Sequence, residues 1–189
     1  MSGRPSRKRS KTLRGTPKRE SDNSPAWSRV WLSARRAGSP PDGMPSMNVL
    51  KTFVDTNVIV YAYDTTAGEK HIRARKIMMD LWRTGGGMIS TQVLQELYVT
   101  LTRKIPRRLK APQAGEIVED LLTWDVAVND GEAILQAIGL ETREKLSFWD
   151  ALVVVAAARG GAEVLLSEDF ADGRTLAGVR VQNPFPPSR

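Results

Sequence analysis

Asp55, Glu96, Asp150 and Asp169 are the residues of this chain best placed to do chemistry together. Asp55 closes the apolar run Val49-Leu50-Lys51-Thr52-Phe53-Val54, and Asp169 follows Val164-Leu165-Leu166-Ser167-Glu168. Asp150 opens the segment Ala151-Leu152-Val153-Val154-Val155-Ala156, and Glu96 lies within Val93-Leu94-Gln95-Glu96-Leu97-Tyr98. Carboxylates gathered in one cleft repel each other, so a fold that collects them binds a hard divalent cation there. Mg²⁺ or Mn²⁺ fits an oxygen-rich shell of three or four carboxylates and waters. The chemistry expected of such a site is metal-dependent hydrolysis of phosphodiesters.

The elements around the acids must bring them together. Val49 to Val54 reads as a buried strand of the near-continuous apolar type found in parallel sheets. Residues 69–83 suit a helix, with Ala74, Ile77, Met78 and Leu81 on one face, ended by Gly85-Gly86-Gly87. Met88-Ile89-Ser90 is a short second strand, and the following helix runs to Lys104 with Pro106 closing it. Helices are expected at 112–122, at 130–141 and from Ser147 to Gly160-Gly161, with strands at 124–128, 163–166 and 178–182. Strands separated by helices pair in parallel. The pattern predicts a three-layer α/β/α sandwich with a central parallel sheet of about five strands.

In such sheets, ligands bind beyond the carboxyl ends of the strands, where strand order reverses. Asp55 and Asp169 face one cleft if the first and fourth strands are neighbours. Asp150 then enters from a helix start. Glu96 enters from a helix flank, at the edge of the arc formed by Val93, Leu94, Leu97 and Leu101. Taken singly, each acid also has a purely structural role available. Asp55 suits a helix cap, Ser147-Phe148-Trp149-Asp150 resembles a capping box, Asp169 suits a turn and Glu96 a solvated helix face. Asp64 and Asp172 read as turn or cap residues. Joint placement is what favours a site.

Composition narrows the chemistry. The chain of 189 residues has no cysteine and one histidine, His71, so disulfides, thiolate zinc sites and His-rich metal sites are excluded. Nothing approaches the roughly 18 consecutive apolar residues of a membrane span, and the cytoplasm is the expected compartment. The net charge of +7 is unevenly spread. Residues 1–46 carry eleven Lys or Arg and three Asp or Glu, whereas residues 47–189 carry seventeen and eighteen. The first segment is rich in Arg, Ser, Pro and Gly without apolar periodicity, and is expected to be a disordered basic extension. It reads as a nucleic-acid-binding tail, a transit peptide, or upstream sequence preceding a start at Met44 or Met47. The ordered domain is expected over 47–189.

The acid-bearing motifs resemble a known family. Phe53-Val54-Asp55-Thr56-Asn57-Val58-Ile59-Val60-Tyr61 is similar to the opening motif of PIN domains, in which a strand ends in Asp-Thr-Asn. Ser90-Thr91-Gln92-Val93-Leu94-Gln95-Glu96-Leu97, Ser147-Phe148-Trp149-Asp150-Ala151-Leu152 and Leu166-Ser167-Glu168-Asp169 resemble the segments bearing the second, third and fourth acids. The match covers residues 48–184 in order, and the nearest subgroup is the bacterial VapC-like toxins. The resemblance implies a Mg²⁺- or Mn²⁺-dependent ribonuclease paired with an antitoxin protein, and a homodimer. Its catalytic and metal-holding residues would be Asp55, Glu96, Asp150 and Asp169, with Thr56, Asn57 and Ser167 orienting them.

RNA needs positive surface, and Arg103-Lys104-Ile105-Pro106-Arg107-Arg108-Leu109-Lys110 has five basic residues in eight. Following the helix that bears Glu96, Arg103, Lys104, Arg107, Arg108 and Lys110 could hold phosphates near the cleft, or form a solvated loop. Arg73, Arg75 and Lys76 read as solvated. Other α/β functions fit less well. A dehalogenase-type phosphatase needs Asp-x-Asp where Asn57 stands, a receiver domain needs paired acids, and a dinucleotide site needs glycines after the first strand. The remaining alternative is a catalytically idle PIN-like module that binds RNA or protein.

Overall fold

In the computed structural model, which describes residues 49–185, the first strand is β1, Thr52–Val54. It is three residues long and wholly buried. The strand expected from Val49 starts only at Thr52, because Val49 and Leu50 lie about half exposed ahead of the sheet. The basic extension expected over 1–46 lies outside the described residues.

Helix α1, Thr56–Tyr63, follows β1 at once, and then come α2, Glu69–Thr84, and β2, Gly87–Ser90. The chain continues through α3, Thr91–Arg103, α4, Ala111–Leu121, and β3, Asp125–Ala127. It then forms α5, Gly131–Glu144, α6, Phe148–Arg159, β4, Val164–Leu166, β5, Thr175–Leu176, and β6, Val179–Gln182. The expected elements all appear within three residues of their predicted ends. α1 and β5 are additions.

The strands form one sheet in the order β3-β2-β1-β4-β6-β5. Five strands run parallel as expected, and β5 adds a short antiparallel edge to β6. Helices α1 to α4 pack among themselves, while α5 and α6 pack together and α6 also touches β2, β3 and β6. The sheet is therefore sandwiched between two helical layers. α6 is buried continuously from Ala151 to Ala157, as a helix apolar all round must be. No described helix is long and apolar enough to cross a membrane.

Strand order fixes where a site can form. From β1 the chain steps outward through β2 to β3, then returns to the other side of β1 as β4. The reversal lies between β1 and β4, where the ends of neighbouring parallel strands open a crevice. Thr52, Phe53 and Val54 pair with Val164, Leu165 and Leu166, so the next residues along, Asp55 and Ser167, come side by side.

Candidate active site

Asp55 ends β1 and is the N-cap of α1, with its Oδ1 accepting from the Thr56 N–H at 2.7 Å. Its own N–H donates to Leu166 O at 3.0 Å, which extends the β1–β4 ladder by one rung. The second oxygen, Oδ2, accepts from the fully buried Ser167 hydroxyl at 2.6 Å. Only 7% of Asp55 is exposed. That burial pushes its carboxyl up from 3.8 to about 6, against the pull of the Ser167 and Thr56 hydrogen bonds; Asp169 and Glu96 push it further up.

Asp169 stands two residues beyond Ser167, and its N–H donates to Ser167 Oγ at 3.1 Å. One hydroxyl thus ties the loop after β4 to the end of β1. Asn57, in the first turn of α1, spans the remaining gap. Its Nδ2 donates to Asp169 Oδ2 at 2.8 Å and, more weakly, to Asp55 Oδ2 at 3.4 Å. Glu96 arrives from α3, whose start is capped by the buried Ser90. Thr56 Oγ1 donates to Glu96 Oε2 and Gln92 Nε2 to Glu96 Oε1, both at 2.9 Å. Asp150 is the third residue of α6, and its N–H donates to the N-cap oxygen of Ser147 at 3.1 Å.

Asp55, Glu96, Asp150 and Asp169 all line one open cleft of about 340 Å³, with Thr56, Asn57 and Lys104. The four come from separate parts of the chain, as the motif spacing required. Ser167 lies beneath, buried and bonded to Asp55. Asp64 acts as a turn residue, accepting from Thr66, while Asp172 sits in a turn but its carboxylate accepts from the distant Asn183 N–H. Of the five basic candidates only Lys104 lines the cleft. Arg103, Arg107, Arg108 and Lys110 are exposed on the end of α3 and the loop to α4.

Gln92 and Trp149 also line the cleft, and neither residue type announces such a role in sequence. Gln92 is buried and donates both to Glu96 and, at 3.4 Å, to the Trp149 carbonyl. Tyr61, another lining residue, belongs to a cluster in which its hydroxyl and Lys70 Nζ each reach Glu168 at 2.5 Å. That cluster holds the residue between Ser167 and Asp169, and so steadies the loop from its far side.

The family model for the PIN domain matches residues 52–171, spanning all four acids. The chain belongs to the PIN domain family. Among solved structures, a toxin–antitoxin complex from Klebsiella pneumoniae is similar at 19% identity and a TM-score of 0.53, covering 71% of this chain and 98% of that one. VapBC2 from Rickettsia felis, solved bound to a DNA fragment from its promoter, is similar at 17% identity and a TM-score of 0.51. That match covers 70% of this chain and 97% of the other. DNA-bound VapBC from Salmonella typhimurium matches at 20% identity and a TM-score of 0.51, covering 72% of this chain and 99% of that one. These likenesses confirm the fold. Comparison with curated proteins gives no match.

A divalent cation is implied by the family, and the donor types of this cleft suit one, though not their present spacing. The cleft offers carboxylates, no thiolate and no imidazole, a hard-oxygen set. The Asn57 amide oxygen is buried without a hydrogen-bond partner. None of the four acids takes part in an ion pair among the described residues. As placed, no three acidic or histidine side chains among the described residues stand close enough together to hold one ion.

Proposed function

We propose that this PIN domain is a Mg²⁺- or Mn²⁺-dependent endoribonuclease, the toxin of a VapBC-like toxin–antitoxin pair. The observation that carries the reading is the convergence of Asp55, Glu96, Asp150 and Asp169 on one cleft at the strand-order reversal. Those four residues would hold the cation, which when bound supplies positive charge against a phosphate and eases deprotonation of water. The chain's own contribution is alignment. Asn57 and Ser167 hold Asp55 and Asp169 in register, and Thr56 and Gln92 fix both oxygens of Glu96. Burial of Asp55 on one side and openness of Asp169 on the other grade the site from protein to solvent. Lys104 adds a positive group at the rim for the RNA backbone.

The partner reading follows from the similar solved structures, which are toxin–antitoxin complexes by description. A cognate antitoxin protein, a homodimer and a cytoplasmic setting belong to the same proposal. A small reading frame beside this gene, encoding a DNA-binding protein, would support it.

The test is cleavage of RNA by the purified full chain with Mg²⁺ or Mn²⁺, with excess chelator, and with Asp55→Asn. Cleavage should vanish in the second and third cases, because the amide keeps the shape and removes the charge. Equal cleavage in excess chelator would sink the mechanism. No cleavage with metal, together with retained RNA or antitoxin binding, would favour the idle binding module instead.

A further inference from the structure

Trp149 is the largest side chain at the mouth of the cleft, and its placement is unusual. It is 60% exposed, although indole rings are on average well buried. It is the second residue of α6, immediately before Asp150, and lines the same cleft as the four acids. Two contacts hold it. Gln92, which also aligns Glu96, donates to its carbonyl, and the half-buried Phe148 ring meets its ring edge to face at 5.3 Å. Lys104 lines the cleft too. An exposed, braced aromatic beside a cation and a carboxylate site matches how proteins grip single strands: bases stack on rings while basic groups track the phosphates.

We propose that Trp149 is a stacking platform for a nucleobase flanking the cleaved phosphodiester. The proposal rests on the ribonuclease reading. A base within a duplex has its faces covered by its neighbours, so only an unpaired nucleotide can present one to the ring. Gln92 bonds both Glu96 and the Trp149 main chain, so the helix turn that carries the ring is tied to the acid site. Stacking is tolerant of base identity, so the preference it imposes is for strandedness rather than for sequence.

The experiment compares wild type, Trp149→Ala, Trp149→Leu and Trp149→Phe, as full chains with Mn²⁺, on an unstructured RNA oligomer and its perfect duplex. Wild type should cut the single strand at least tenfold more efficiently than the duplex. The alanine and leucine variants should show KM raised roughly tenfold on the single strand, the size expected for one lost base–aromatic stack. Their kcat should change little, and Phe should restore most of the loss. The dependence of KM on salt should keep its slope, because no phosphate contact is removed. Leucine is the control for packing, since it fills space without a π-face. Unchanged KM in the alanine and leucine variants, or equal rescue by leucine and phenylalanine, would overturn the proposal and leave the ring as a protein-contact surface. If wild type cuts no RNA, the ribonuclease reading falls, and the stacking proposal with it.

Discussion

The Ser167 hydroxyl at the end of β4 donates to Asp55 at the end of β1, across 2.6 Å and between two neighbouring parallel strands. Both residues are buried.

Ser167→Ala should therefore act in two ways. Losing a donor to a buried carboxylate should cost about 2 kcal/mol of stability. It should also raise the Asp55 carboxyl further, since the Ser167 bond is the strongest influence holding it down. In chelator, the fall in stability as pH rises through the Asp55 titration should extend to higher pH. Denaturant midpoints and their pH dependence check both, and a variant unchanged in each would show that the bond carries little.

Asp55→Asn tests whether the acid serves site or scaffold. The folded carboxyl sits at about 6 rather than 3.8, so its stabilising contribution is full below 3.8 and is lost as pH rises through 6. Asparagine stays neutral across that range. A shift of about two units corresponds to roughly 3 kcal/mol, offset by about 1–2 kcal/mol for the weakened cap and serine bonds. In chelator at pH 7.5 the variant should match or exceed wild type by about 1 kcal/mol, and it should lose that advantage at pH 4. Mn²⁺ should stabilise wild type and not the variant. Thermal melts decide: clear destabilisation at both pH values, with an intact Mn²⁺ response, would make Asp55 scaffold.

A chain starting at Met47 should fold and keep its metal-dependent cleavage, because all four acids and the whole sheet lie beyond that point. Comparing its melting temperature and its activity with those of the full chain checks this. Insolubility or inactivity of the short chain alone would make residues 1–46 part of the functional unit.

Gly87→Ala should destabilise without touching the chemistry. A Cβ there would sit 2.5 Å from the Trp124 ring, which itself packs edge to face on Trp82 at 4.9 Å. Overpacking of this kind costs about 1–3 kcal/mol. The denaturant midpoint should fall, while the Mn²⁺-induced stabilisation stays the same.

Three of the four acids were legible because each ends or opens an apolar run, Glu96 because it edges the apolar arc of its helix, and strand ends are where open sheets bind ligands. The adjacency of β1 and β4 that joins Asp55 to Asp169 was only a condition in the sequence, since strand order depends on contacts far apart along the chain. α1 was hidden for a local reason. Val58, Ile59, Val60 and Tyr61 are strand formers that continue the pattern of β1, and burial plus the Asp55 cap override that preference. β5 was hidden by its turn. Ala177 and Gly178 both adopt positive φ, at 48° and 85°, but Ala-Gly lacks the usual Asn-Gly signal of a tight hairpin. The basic run was visible as composition. That Lys104 alone of its five lines the cleft depends on where α3 ends.

Asp55 terminates a strand, caps a helix and faces the cleft with one carboxylate. Asp169, by contrast, is an exposed loop residue whose side chain, among the described residues, accepts only from Asn57. Cells burdened by such a nuclease would gather inactivating substitutions, and the fold makes those routes unequal. Many replacements at Asp169 would silence the enzyme and leave a well-folded protein still able to occupy its partner. Most replacements at Asp55, asparagine aside, would loosen the junction of β1 and α1 as well, and would tend to remove the protein altogether. Survivors selected for a silent but intact chain should therefore carry their changes at Asp169 far more often than at Asp55.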